Sequence, residues 1–139
     1  MPHRKKTTRV AALVLVLASA ALGASACSSS APAQSAKTTS CTDFATLIAA
    51  AISGNNGATD QATTLKNGQA LAQSLTQEAA AATDPNAKTA MAAFAADYTS
   101  LVAAIGKADA GDKAAAADVT TISAKVTTDS ASVKSVCGN

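Results

Sequence analysis

Three cysteines, Cys27, Cys41 and Cys137, have the widest chemical reach of any residues in this 139-residue chain. A thiol can take a covalent lipid, close a disulfide, ligate a metal or act as a nucleophile. The last two uses need partners that the chain does not supply. Its one histidine, His3, stands in an N-terminal stretch that reads as a removable leader. Beyond that leader no Ser-His-Asp, Cys-His or imidazole metal arrangement can be assembled. Asp109 and Asp112 are close in sequence, but a calcium loop needs six or more oxygens in order, and the bland role is to cap a helix. Glu78 and the other aspartates are scattered at positions that read as solvated, with no pair placed for acid–base work. No strand precedes a glycine-rich phosphate loop. The sequence therefore predicts no enzyme: no catalytic residue, no metal and no cofactor.

The context of Cys27 says what its thiol is for. Arg4, Lys5, Lys6 and Arg9 form a basic region, and Val10 to Leu22 is an apolar block without a charge. Small residues follow, up to Cys27. These are the parts of a secretory signal peptide. A membrane-spanning helix needs about 20 apolar residues; this block is short and runs into Ser28-Ser29-Ser30. Ala24-Ser25-Ala26-Cys27 resembles the lipobox of bacterial lipoprotein precursors, with Ala24 standing where leucine is usual. The resemblance implies a diacylglycerol on the Cys27 sulfur and cleavage just before it, leaving residues 1–26 as the signal peptide. Each buried methylene contributes about 0.8 kcal/mol, so two or more acyl chains hold stably. The implied location is the extracytoplasmic face of a membrane. Ala24-Ser25-Ala26 also fits the A-x-A rule for ordinary signal peptidase, which would give a soluble secreted protein, and an uncleaved leader would be an anchor itself. With Cys27 acylated, Cys41 and Cys137 remain as a pair.

Loss of the leader changes the electrostatics. The whole chain carries +2, but residues 27–139 hold seven lysines against eight aspartates and one glutamate, a net charge of −2. Nucleic-acid binding needs a basic face, and none is expected here.

Residues 27–40 read as a lipidated start and a flexible linker, followed by one alanine-rich domain over 41–139. Alanine has the highest helix propensity, and strand-type runs are scarce, so the fold class is all-α. Ser40 and Asp43 look like a capping box opening a first helix, with Cys41, Phe44, Ile48 and Ile52 on one face and Gly54 at its left-handed end. A second helix runs from Thr59 or Asp60 to Ala82, its stripe being Leu65, Gly68, Ala72, Leu75 and Ala79, unbroken across Asn67-Gly68. Asp84 and Pro85 open a third, whose seam is Ala87, Met91, Phe94, Tyr98, Leu101 and Ile105, ending at Gly106 or Gly111. A fourth follows Asp109 or Asp112 and aligns Ala115, Val119, Ile122, Val126, Ser130, Val133 and Cys137.

Short connections between four helices favour an up-down-up-down four-helix bundle. That topology brings the start of the first helix and the end of the fourth to the same end, where Cys41 and Cys137 stand. An exported domain can form the bond, which would stabilise a thin core by about 4–5 kcal/mol in the chain-entropy model.

Two functional readings follow. The main one is a non-catalytic, lipid-anchored module that docks another envelope protein or polymer. The alternative is a carrier of a small apolar ligand, haem-like or lipid, held by Met91, Phe94 and Tyr98. A tyrosinate can ligate haem iron, and the layout loosely resembles that of small exported helical haem carriers. No histidine stands by to support it.

Overall fold

The computed structural model describes residues 32–56 and 60–138. The leader, Cys27 and Thr59 lie outside them. Four helices follow in order: α1 (Pro32–Asn56), α2 (Gln61–Ala81), α3 (Pro85–Asp109) and α4 (Lys113–Cys137). No strand occurs among the described residues, so the chain is an all-α bundle with helices that alternate in direction.

Aspartates set three of the four starts. Asp60, Asp84 and Asp112 are the N-caps of α2, α3 and α4. The Asp84 carboxylate accepts from the Ala87 amide at 2.8 Å, and Pro85 occupies the first turn, where its missing N–H costs nothing. Asp112 accepts from the amides of Ala114 and Ala115 at 2.9 and 3.1 Å. The turn between α3 and α4 passes through Gly111 at φ 97°, and Gly138 closes α4 at φ 78°, both left-handed.

Two expected boundaries are corrected. α1 begins at Pro32, not at a Ser40 cap, so Pro32–Ser40 is helix where the composition reads as linker. Alanine, glutamine and lysine favour helix there, and the Thr42 hydroxyl returns a bond to the Thr38 carbonyl at 2.9 Å. Gly54 lies inside α1, which continues to Asn56, and its backbone is not left-handed. An exposed glycine costs a helix about 1 kcal/mol, too little to stop it. α2 does run unbroken through Asn67-Gly68.

α3 is the central helix. It packs extensively on α2 and on α4, while α1 lies mainly on α2 and meets α4 sparsely. The expected stripe of α2 is buried at Gly68, Ala72, Leu75 and Ala79. α3 buries its seam at Ala87, Met91, Phe94 and Leu101, and also Ala95, Val102 and Ala104, because it has a neighbour on each side. α3 is also, among the described residues, the one helix long and apolar enough to cross a membrane by length and composition. Its place between two helices makes it the core helix of the bundle. Phe44, Leu75, Met91 and Val126 are the largest side chains shut off from solvent. In the thin core that results, Gly68 lets Val102 approach: a Cβ there would lie 3.2 Å from Val102 Cγ2.

Candidate functional site

Cys41, in the first half of α1, is buried, and Cys137, the last residue of α4, is half-buried. Their sulfurs are 2.00 Å apart and their Cα atoms 5.8 Å apart, across 96 residues of sequence. The disulfide is therefore formed at the one end of the bundle where an alternating topology brings these helix ends together. It joins α1 to the helix on which α1 packs least.

Beside the disulfide a cleft of about 530 Å³ opens between α1, α3 and α4. Its polar lining is Lys37 from α1, Asn86 and Thr89 from α3, and Asp129, Ser132 and Ser135 from α4. Asp129 departs from the expectation that the free aspartates are scattered and solvated. It lines the cleft from α4, and its Oδ2 atom is shut off from water with no hydrogen-bond partner. Burial pushes the Asp129 carboxyl above its ordinary value of 3.8; the negative charge of Asp97 and their hydrogen bond push the same way, and Lys125 opposes them. Each residue stands three positions beyond a core residue, Phe94 or Val126, on the flank of its seam. That position was readable; the pairing of the two helices was not.

Met91, Phe94 and Tyr98 stand together on α3, as packing. Met91 and Phe94 are buried and Tyr98 is half-buried. The Phe94 ring meets Phe44 edge to face, with centroids 5.6 Å apart, and stacks near-parallel on Tyr98 at 6.2 Å. Burial pushes the Tyr98 hydroxyl above its ordinary value of 10.0, which favours the neutral phenol over the tyrosinate that iron would take. None of the three lines the cleft, nor the groove of about 360 Å³ between α2 and α3 walled by Ala79, Ala80, Ala92 and Ala96. Among the described residues no three His, Cys, Asp or Glu side chains gather to hold a metal.

Three other acids, Asp60, Asp84 and Asp112, cap helices. Asp60 accepts from the Thr63 amide and hydroxyl, each at 2.8 Å, and these bonds hold its carboxyl below the usual range. No protein-family model matches the chain, and neither a curated protein nor a solved structure shows significant similarity to it.

Proposed function

We propose that the chain is a non-catalytic module held at the extracytoplasmic face of a membrane by a lipid on Cys27, where its helical bundle docks another envelope protein or polymer. The observation that carries this reading is the Cys41–Cys137 disulfide. Such bonds persist in oxidising compartments, which agrees with an export leader that ends at Cys27. The bond also commits both remaining thiols to structure, and Asp60, Asp84 and Asp112 are committed to helix starts.

The acid in the cleft, Asp129, does not change this reading. A general acid or base must reach its substrate, and the Asp129 oxygen without a partner is closed even to water.

Mass spectrometry of the mature protein from its native envelope tests the anchor. The expected species begins at Cys27 and exceeds its polypeptide mass by an acyl-glyceryl group. A species that begins at Cys27 with no lipid would refute it. Cross-linking in the same envelope tests the docking role: a specific macromolecular partner is expected. Co-purification of an apolar small molecule without such a partner favours the carrier.

A further inference from the structure

We propose that the cleft between α1, α3 and α4 binds a short zwitterionic peptide, whose carboxylate meets Lys37 and whose ammonium meets Asp129. The cleft holds about 530 Å³, within the range of small-molecule sites. Its walls carry a single cation and a single anion, Lys37 and Asp129. Among the described residues no ion pair links the two. Opposite charges that share a cleft without neutralising each other match a ligand that carries both signs.

Helix direction places the two charges at opposite ends. α3 lines the cleft from Asn86 to Ala93, and α4 from Asp129 to Val136. These helices are antiparallel, so Asp129 stands level with Ala93 at the inner end and Val136 level with Asn86 at the outer end. Cys41 is bonded to Cys137, and Lys37 lies one turn before Cys41 on α1, on the outer side. The stretch from Asp129 to Val136 rises by about 10 Å, at about 1.5 Å per residue. A ligand that reaches from one charge to the other is about three extended residues long, at about 3.3–3.6 Å each. A single amino acid is too short to touch both.

Groups between the charges suit a peptide backbone. The amide of Asn86 and the hydroxyls of Thr89, Ser132 and Ser135 can each donate and accept. The rest of the wall is alanine and valine, which suits small apolar side chains. Asp129 Oδ2 is enclosed with no hydrogen-bond partner, and such an acceptor is destabilising until a donor reaches it. The terminal torsion of an aspartate is broad, so a turn of the carboxyl brings that oxygen to an incoming ammonium. The inference adds a small-ligand site to the docking role and stands whether or not Cys27 is acylated.

Titration of the disulfide-bonded protein with trialanine, followed by amide NMR, tests it. Shifts are expected at Thr89, Ser132 and Ser135. Blocking either end of the peptide, as its C-terminal amide or its N-acetyl form, should weaken binding by about tenfold. In Lys37→Met, trialanine and its amide should bind equally; in Asp129→Asn, trialanine and its N-acetyl form should. Each variant keeps the preference that the other loses, so misfolding cannot mimic the pattern. No shifts in the cleft at millimolar trialanine would overturn the proposal, as would equal binding of free and doubly blocked peptide by the parent protein. So would shifts of the same residues by the neutral sugar chitotriose where trialanine gives none, since the cleft would then take a glycan.

Discussion

Cys41 and Cys137 are bonded across the seam that packing leaves most open, with Cα atoms 5.8 Å apart where α1 meets α4. Elsewhere adjacent helices are held by interlocked apolar side chains. Here the chain supplies a covalent link, and among the described residues α1 has only Cys41 and Phe44 in the buried core.

Reduction should therefore act on α1 first. Breaking a link across 96 residues is expected to cost about 4–5 kcal/mol, read as a drop of tens of degrees in melting temperature. Hydrogen exchange should speed up along α1 before α3 and α4 respond. An unchanged melting curve, or uniform loss of protection, would show that packing alone holds α1.

Phe94 is buried and packs edge to face on Phe44 of α1 and against Tyr98 one turn along α3. Phe94→Ala should cost about 3–5 kcal/mol in a denaturant melt, the usual range for a buried aromatic. A loss below about 1 kcal/mol, within the range of surface changes, would mean that the site collapses easily and that the interior is looser than its geometry suggests.

Two glycines in helices should respond in opposite directions. A Cβ at Gly54 meets nothing within 4 Å, so Gly54→Ala should stabilise by up to about 1 kcal/mol through helix propensity. Gly68 faces the stiff, buried Val102. Gly68→Val should destabilise by about 1–3 kcal/mol, the usual penalty for overpacking. Equal effects at both sites would contradict the close α2–α3 approach.

Tyr98 is the only tyrosine, so phenolate absorbance reports it alone. Burial raises its ionisation above 10.0. The matching stability is fully present below 10.0 and is lost as pH rises through the raised value. Absorbance should show a midpoint above 10.0 in the folded protein, falling back on unfolding. A midpoint at or below 10.0 would mean an exposed hydroxyl.

What the sequence makes legible depends on how local each signal is. Asp84-Pro85 marks a helix start from two adjacent residues, and α3 begins there. The stripe from Gly68 to Ala79 stands out because leucines punctuate it. The disulfide follows from topology, since an alternating bundle leaves its first and last helix ends together. Alanine, by contrast, favours helix without saying which side is inward. Ala95 and Ala104 therefore escape notice as a second buried side of α3, and Pro32–Ser40 reads as linker by its serines and threonines. The place of Asp129 in the cleft between α1, α3 and α4 depends on how these helices pack together, and no single stretch of chain records that.

The early start of α1 carries a geometric consequence for an acylated Cys27. Only residues 28–31 separate that cysteine from Pro32. The nine residues Pro32–Ser40 then form a stiff rod of about 13 Å at 1.5 Å per residue, leading straight to the buried sulfur of Cys41. Such a stalk would turn the sulfur-closed end of the bundle towards the lipid headgroups. The opposite pole, where Asp60 starts α2 and Gly111 turns α3 into α4, would face outward as the first surface an arriving partner could meet.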